Sequence, residues 1–349
     1  MKPSVAMILH ARENFSPLAA GAISLIAERF ARVTPGAVVI GFPYTNPTFQ
    51  GIAFRPARNT LAIFRLLRRL QPESADVYQS PRLAMWIARL FPKTRVILNL
   101  QNDPLMMRGL KSVPERQRAL RRLHCVACNS EYLRSRYMTG LTGPGPAVLY
   151  NPLTLAALPP RAAERRPEIL FVGRIVRDKG PDVFISAAAQ ALPQLPGWSA
   201  RLLGGDRFGP DSPQTPFIIA IAQHAAAAGI AIYGPVPHAE VLNAMAQAAI
   251  VVVPSRWAEP FGLTALEAMA SGAVLITTPQ GGLPEVGGGA AVYVTADDPG
   301  ALAEAIVNLA QNPALRTSHA TAGLTQARLF DTPIIAARLA YLRNARPAV

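Results

Sequence analysis

The stretch at residues 251–269, VVVPSRWAEPFGLTALEAM, constrains the fold more than any other part of the chain. It begins inside a β-branched run at 250–253, which is typical of a strand buried on both faces of a parallel sheet. Pro254 ends the predicted strand. A helix is predicted to begin near 260–262, because apolar residues recur at helical spacing from Leu263 onward. The chain therefore contains a buried strand that leads into a helix through a short, glycine-containing loop.

The chemistry of this loop favours a binding site for a nucleotide-sugar. The first amides of a helix have no partner within the helix, so a helix that follows a strand can bind phosphate there. Glu259 precedes the predicted helix, and Glu267 lies within it, eight positions later. Because carboxylates accept hydrogen bonds from hydroxyls, the two glutamates suit sugar hydroxyls on either side of a phosphate. An ordinary amphipathic helix with two surface glutamates is the alternative interpretation.

The spacing Glu259-x7-Glu267 within EPFGLTALEAMASG resembles the signature of the family 4 retaining glycosyltransferases, or glycosyl transferases group 1. The similarity extends to VGRIVRDKG at 172–180 and to GGLPEV at 281–286. The resemblance implies an α/β chain with the GT-B fold, in which two Rossmann-like, doubly wound domains face a central cleft. It also implies a retaining, metal-independent hexosyltransferase that uses a UDP-, GDP- or ADP-sugar as donor and needs no cofactor. No D-x-D motif or His/Cys cluster is evident in the sequence, so no metal site is predicted.

The same resemblance implies a role for each matching position in the second half. It assigns Glu259 to the transferred sugar and Glu267 to the ribose hydroxyls. Arg174 and Lys179 are assigned to the diphosphate, which suits one bidentate cation and one point charge; two ordinary surface cations are the alternative. The other donor-binding candidates contribute backbone amides or close backbone approach, and they are Gly173, Gly205, Pro235, Val236, Gly262, Leu263, Thr264, Gly281 and Gly282.

Strand and helix patterns alternate along the chain, which predicts a parallel, doubly wound sheet in each half. Strands are predicted at 5–10, 37–42, 75–78, 95–100, 125–128, 147–150, 169–172, 200–203, 230–233, 250–253, 274–277 and 291–294. Helices of the first half are predicted at 18–32, 57–70, 82–90, 114–123 and 131–138. The expected domains are 1–155 for the acceptor and 168–325 for the nucleotide-sugar. A last helix within 326–349 is expected to cross back to the first domain, with Ile334, Ile335, Leu339 and Leu342 on its apolar side.

Candidates in the first half lie where predicted strands end. The resemblance places a glycine-rich turn after the first strand, where this chain has His10 and a single glycine, Gly21. A plain helix start is the alternative there. Gln101 or Asn102 takes the position of a histidine that many family members carry near the transferred sugar. The change removes an imidazole but keeps hydrogen-bonding ability, and the leaving phosphate is thought to accept the acceptor's proton in this family.

Positive charge is confined to the first half of the chain. Residues 1–160 hold 21 Lys and Arg against 7 Asp and Glu, a net charge of +14, whereas 161–349 hold 14 of each. Asymmetry of this kind indicates an anionic partner for one domain. The segments at 55–69 and 108–122 are predicted as basic amphipathic helices, typical of membrane-surface elements. A solvated arginine face is the alternative, and nucleic acid is not expected because no recognition motif is visible.

The function predicted from these observations is sugar transfer to a glycan or lipid-linked acceptor, in bacterial cell-surface polysaccharide or glycolipid synthesis. A non-catalytic basic protein that binds anionic membrane or nucleic acid is the alternative class, and a glycan phosphorylase is a rival of the same fold. No apolar run reaches 18 residues, so we expect a cytoplasmic protein, with attachment at the inner membrane face as a further hypothesis. Cys125 and Cys128 form a C-x-x-C, which we interpret as small core residues of a strand rather than as a redox pair.

Overall fold

The computed structural model describes residues 4–11, 13–207 and 212–345. Contacts divide the chain into two compact units, Met1–Thr154 with Phe330–Val349, and Leu155–Leu329. Each unit contains a sheet in which neighbouring strands pair in parallel, covered by helices. This confirms the predicted α/β class with two parallel sheets.

The strands of the first unit are short and largely buried, because aliphatic side chains dominate them. They are β1 (Val5–Ile8), β2 (Ala37–Gly41), β3 (Phe54–Pro56), β4 (Ser74–Tyr78), β5 (Arg95–Leu100), β6 (Cys125–Cys128) and β7 (Ala147–Val148). Their order in the sheet is β3-β2-β1-β4-β5-β6-β7, so the chain order reverses between β1 and β4. All the strands predicted in this half are present within a few residues of the expected ends.

Helices connect these strands and bury one face against the sheet. They are α1 (Ala22–Val33), α2 (Thr60–Leu70), α3 (Pro81–Leu90), α4 (Val113–Arg122) and α5 (Glu131–Met138). Buried residues of α2, α3, α4 and α5 share one apolar cluster with the sheet, so these helices lie on the same face of it. Side chains cap three of the helix starts. Asn59, Ser112 and Ser130 each accept a hydrogen bond from the first turn that follows.

The prediction that a helix begins at residue 57 was wrong, and the strand β3 was missed. Residues Phe54–Pro56 pair with β2 as a short edge strand, where a proline is tolerated. The helix begins only at Thr60, because the Asn59 side chain accepts from the amide of Ala62 and fixes the first turn there. Arg55 therefore lies on the edge strand and not on α2.

The segment 108–122 was predicted as a basic amphipathic helix with Arg116 on its basic face, and for Arg116 this prediction was wrong. Its side chain is only 2% exposed. The guanidinium donates to the carbonyl oxygens of Leu110 and Lys111, both at 3.0 Å, and of Thr139 at 2.5 Å. These carbonyls accept from both terminal nitrogens of the buried guanidinium, so Arg116 stabilises the packing of α4 instead of presenting charge to solvent.

The two cysteines occupy the buried strand β6 and are free thiols. Burial raises the pKa of Cys125 to about 11 and also raises the pKa of Cys128. A thiol that stays protonated at neutral pH is a poor nucleophile. This geometry agrees with the interpretation of both residues as small core side chains.

The second unit repeats the architecture with more strongly apolar strands. They are β8 (Arg166–Val172), β9 (Ser199–Leu203), β10 (Ala231–Tyr233), β11 (Ala248–Val253), β12 (Val274–Thr277) and β13 (Val292–Tyr293). Their order is β10-β9-β8-β11-β12-β13, so the chain order reverses between β8 and β11. Every residue of β11 is buried, as its β-branched run predicts.

The helices of the second unit lie between its strands and after β13. They are α6 (Pro181–Ala191), α7 (Pro216–Ala227), α8 (His238–Gln247), α9 (Leu263–Ala270), α10 (Leu283–Gly287), α11 (Pro299–Gln311) and α12 (Pro313–Ala327). Short 3₁₀ turns occur along the chain at Pro104–Met106, Leu155–Ala157, Arg177–Lys179, Leu192–Gln194 and Arg328–Phe330.

The last helix, α13 (Thr332–Asn344), belongs to the first unit and packs against α1. Its buried stripe contains Ile335, Leu339 and Leu342, which recur at helical spacing. Ile334 was predicted to share this stripe, but its side chain is 55% exposed. It lies one position before Ile335, about 100° away around a helix that has about 3.6 residues per turn.

A buried ion pair joins α13 to the sheet of the first unit. Arg343 donates to Asp76 of β4 through Nη2–Oδ2 at 2.5 Å and through Nε–Oδ1 at 3.4 Å. The two side chains are 8% and 0% exposed. Burial works against the charge of Arg343, but the charge of Asp76 and its hydrogen bonds raise the pKa of the guanidinium overall. Each charge therefore depends on the other.

We expect Asp76→Ala to lower the free energy of unfolding by about 3–5 kcal/mol, because it leaves the Arg343 charge buried without a partner. Urea unfolding followed by circular dichroism measures this change. The double variant Asp76→Ala/Arg343→Met should recover much of the loss, since neither charge remains. Glu73→Ala is the control, because the exposed Glu73–Arg95 pair contributes less than about 1 kcal/mol. Equal losses in the single and double variants would contradict the dependence of one charge on the other.

Candidate functional site

The candidate site lies at the carboxyl ends of β8, β11 and β12 in the second unit. The strand order reverses between β8 and β11, and ligands of doubly wound sheets bind outside the strand ends at such a reversal. Three loops leave the sheet here, at 173–180, 254–262 and 278–282. Most of the residues that the sequence assigned to the donor lie on these loops.

Glu259 is held in place by two side chains from different parts of the chain. The hydroxyl of Ser255 donates to Oε1 of Glu259 at 2.5 Å, and Nζ of Lys179 forms an ion pair with the same oxygen. Glu259 is 8% exposed and Ser255 is fully buried. A buried carboxylate needs such partners. The structure thus brings together two of the three predicted catalytic residues, Glu259 and Lys179.

Backbone contacts between the three loops require glycine at two positions. Gly281 has φ +63°, and a Cβ there would lie 2.2 Å from the carbonyl oxygen of Glu259. The next amide, of Gly282, donates to that same carbonyl at 2.7 Å. Gly180 has φ +68°, and its Cβ would lie 2.4 Å from the carbonyl oxygen of Pro254. Any larger residue at Gly180 or Gly281 would push the loops apart.

Arg256, which the sequence analysis did not single out, fixes the loop after β11. Its guanidinium binds both carboxylate oxygens of Asp182 at 2.7 Å, pairs with Asp297, and donates to the carbonyl of Arg177 at 2.8 Å. The amide of Arg256 donates to the carbonyl of Asp178 at 2.9 Å. Burial opposes ionisation of Asp182, but hydrogen bonds and charge from Arg256 lower the pKa of that carboxyl overall.

Glu267 is paired with a histidine that the sequence analysis also missed. Nε2 of His238, the first residue of α8, lies 2.9 Å from Oε1 of Glu267 on α9. Gly262 ends the preceding loop in the left-handed region at φ +104°, and Leu263 and Thr264 form the first turn of α9. The predicted phosphate-binding amides therefore start the helix that carries Glu267, as the motif requires.

The remaining donor candidates lie at the ends of β8, β9 and β10. The amide of Gly173 donates to the carbonyl of Leu203 at 3.1 Å, which joins the ends of β8 and β9. A Cβ on Gly205 would lie 2.8 Å from Cγ of Pro235, so these two loops touch. Pro235 and Val236 are half-buried. All four positions lie at the same edge of the sheet as Glu259.

Arg174, the third predicted catalytic residue, differs from Lys179 in its surroundings. Its side chain is exposed, and within the described part of the chain it makes no hydrogen bond or ion pair. It follows β8 directly, so its backbone is fixed by the sheet while its guanidinium is not held by the protein.

The first-unit candidates are placed at strand ends of their own sheet. His10 follows β1 and is half-buried, and Gly21 is the residue before α1 with an extended backbone at φ −79°. Gln101 accepts from the Asn129 side chain at 2.9 Å, and its amide donates to Gln79 at 3.0 Å. Asn102 is exposed. Gln101 is thus held in a hydrogen-bonded group with Gln79 and Asn129 at the end of β5.

The described residues, 4–345 apart from 12 and 208–211, contain no group of three or more His, Cys, Asp or Glu side chains that could hold a metal ion. Among these described residues, no helix combines the length and the apolar composition that a membrane span requires.

Comparison with known proteins identifies the second unit most directly. Residues 166–312 match the family model "Glycosyl transferases group 1". The chain is 35% identical over 175 residues to a D-inositol 3-phosphate glycosyltransferase of Nocardioides, covering 47% of this chain and 38% of the relative. It is 34% identical over 200 residues to the glycogen synthase of Mycobacterium tuberculosis, covering 53% and 45%. The matched part spans less than half the length of these relatives.

Solved structures match along nearly the whole chain. The HepE protein of Anabaena, solved in complex with UDP and glucose, superposes with a TM-score of 0.77 at 18% identity and covers 97% of this chain and 99% of that one. A sucrose-phosphate synthase of Thermosynechococcus elongatus gives 0.73 at 19% identity, with 98% of each chain covered. At such identities the likeness concerns the fold. The predicted family resemblance and the predicted fold are confirmed: residues 166–312 match the model of the glycosyl transferases group 1 family, and the two parallel sheets are those of GT-B glycosyltransferase structures.

Proposed function

We propose that the protein is a retaining glycosyltransferase that takes its sugar from a nucleoside-diphosphate sugar bound by the second unit. The observation that carries this proposal is the pair of supported carboxylates at the strand-order reversal. Glu259 is held by Lys179 and Ser255, and Glu267 by His238, with the start of α9 between the two glutamates. Carboxylates for hydroxyls and helix amides for phosphate match the parts of such a donor.

Relatives agree with this donor class. HepE has been solved with UDP and with UDP-glucose, and two relatives are named as glycosyltransferase and glycogen synthase. The base, the sugar and the absence of a metal requirement stay part of the proposal for this chain.

In the proposed reaction, the cations of the site stabilise the negative charge of the leaving diphosphate. The bond between the anomeric carbon and the phosphate oxygen breaks, and the acceptor oxygen bonds to that carbon on the same face. The acceptor's proton passes to the departing phosphate oxygen, so no separate base is needed. Lys179 would exchange Glu259 for the diphosphate, and the exposed Arg174 would turn onto it, because both cations stabilise charge that grows as the bond breaks. Glu259, freed from Lys179 but still bonded to Ser255, would accept from a sugar hydroxyl.

We expect Lys179→Ala to lower kcat by about 10²–10³-fold while changing the donor Kd less, since a group aimed at developing charge acts mainly in the transition state. Steady-state transfer or hydrolysis of UDP-, GDP- and ADP-sugars, with and without EDTA, measures this. Lys111→Ala, which removes an exposed lysine of the first unit, is the matched control. Loss of wild-type activity in EDTA would contradict the metal-free mechanism. Absence of turnover and of donor binding in the wild type would favour the non-catalytic alternative.

We also propose that the first unit binds a lipid-linked or glycan acceptor at an anionic membrane surface. Its basic surface consists of exposed arginines on and beside α2 and at the end of α4: Arg58, Arg65, Arg68, Arg69, Arg118, Arg121 and Arg122. Leu61 of α2 and Trp86 and Leu90 of α3 are at least half exposed and lie on the outward sides of these helices. Arginines beside exposed aromatic and aliphatic side chains suit a lipid headgroup region better than a solvated face alone.

Vesicle co-sedimentation tests this surface. Binding should rise with anionic lipid content and fall with salt, because each basic residue near an anionic surface contributes about 1 kcal/mol and is screened beyond about 10 Å at 0.1 M salt. Reversal of Arg65, Arg68 and Arg69 to Glu should abolish binding, and Trp86→Ala should weaken it. Arg207→Glu, an exposed arginine of the second unit, is the charge-reversal control.

Equal recovery with neutral and anionic vesicles would contradict the membrane proposal and leave the arginines as a solvated face. Release of the protein from anionic vesicles by DNA at constant salt, with loss of DNA binding in the triple-Glu variant, would favour nucleic acid instead.

A further inference from the structure

The contact between His238 and Glu267 joins two helices whose starts both border the candidate donor site. His238 is the first residue of α8, directly after the loop that contains Pro235 and Val236. Glu267 lies in the middle of α9, and its side chain is 5% exposed, whereas that of His238 is 23% exposed. Both side chains are anchored on helices, so their mutual geometry is fixed by the packing of α8 on α9.

The chemistry of the two groups determines which atom carries the proton. A carboxylate can only accept, so Nε2 of His238, 2.9 Å from Oε1 of Glu267, must be the donor. The imidazole of His238 thereby orients one carboxylate oxygen of Glu267. In a catalytic triad the same kind of contact works in the opposite sense, because there the carboxylate orients the histidine. Without that donor, Glu267 would still be buried, but its rotamer would be less restricted.

We propose that His238 is a positioning residue for the nucleoside: it holds the Glu267 carboxylate in the orientation that accepts a ribose hydroxyl. This inference rests on the proposed function, because it assumes that Glu267 faces the ribose. His238 acts through Glu267 and not on the reacting atoms, so its loss affects donor affinity more than kcat. A merely structural role, tying α8 to α9, would instead weaken all ligands of the site alike.

A ligand series separates these two roles. Isothermal titration first establishes which of UDP, GDP and ADP binds the wild type with the lowest Kd. The same nucleotide is then compared with its 2′-deoxy and 3′-deoxy analogues in the wild type, Glu267→Ala and His238→Ala. His238→Ala should raise the Kd of the ribonucleotide about tenfold, the effect of losing a hydrogen bond to a charged group. The analogue that lacks the hydroxyl received by Glu267 should bind the wild type and His238→Ala with the same Kd.

Three further variants control for folding and chemistry. His238→Gln places an amide donor near the position of Nε2 and should restore the ribonucleotide Kd to within about threefold of wild type. His238→Asn is too short to reach Glu267 and replaces the alanine variant if that one does not fold. His224→Ala removes an exposed histidine of α7 and should leave every Kd unchanged.

The outcomes of these titrations distinguish the positioning role of His238 from the proposed donor-binding function on which it rests. If Glu267→Ala weakens the ribonucleotide selectively but His238→Ala does not, the positioning role is overturned while the donor site stands. Equal weakening of ribonucleotide and both deoxy analogues by His238→Ala also overturns it, in favour of a structural tie. Wild-type protein that binds none of the three nucleotides overturns the proposed function and this inference together.

Discussion

The candidate site depends on the close approach of three backbone loops in the second unit. The carbonyl of Glu259 accepts from the amide of Gly282, and Gly281 lies so near that a Cβ would meet that carbonyl at 2.2 Å. On its other side, the loop after β11 is held by Gly180 against Pro254. Because these contacts leave no room for a side chain, they fix the backbone of Glu259, and Ser255 and Lys179 then hold its carboxylate before any ligand binds. Preorganisation of this kind is what a binding or catalytic group needs.

The two glutamates of the motif are supported in different ways, which suits different tasks. Glu259 is paired with a cation, Lys179, whose side chain is 23% exposed. Glu267 has a histidine partner on a neighbouring helix and is almost fully buried. In the proposed reaction, the first arrangement would let the diphosphate compete for the cation, whereas the second would keep the Glu267 carboxylate in one orientation. A donor with an anionic centre and a ribose at one end would use both properties.

Much of this was predictable from the sequence, because strand runs, glycine loops and the motif spacing are local features. The alternation of strands and helices, the loops after β8, β11 and β12 and the positions of Glu259, Lys179 and Glu267 on or beside those loops follow from such features. Partners that are distant in sequence could not be predicted in this way. His238 lies 29 positions before Glu267, and only the packing of α8 on α9 brings them together. Arg116 was misplaced for the same reason, since the carbonyl of Thr139, 23 positions away, helps to bury a cation that periodicity alone places on a surface.

The arginines of this chain fall into two groups, those held by partners within the fold and those exposed to solvent. In the second unit, Arg256 pairs with two aspartates, and Arg201 pairs with Glu168 at 2.8 Å. Both arginines therefore stabilise the packing of this unit. In the first unit, Arg343 pairs with Asp76 and Arg116 donates to backbone carbonyls, so both are buried within the fold. The arginines of α2, by contrast, are exposed, and the only charged side chains of that helix are basic. Unpaired surface cations add little to the stability of the fold, so folding alone does not account for their accumulation on one unit.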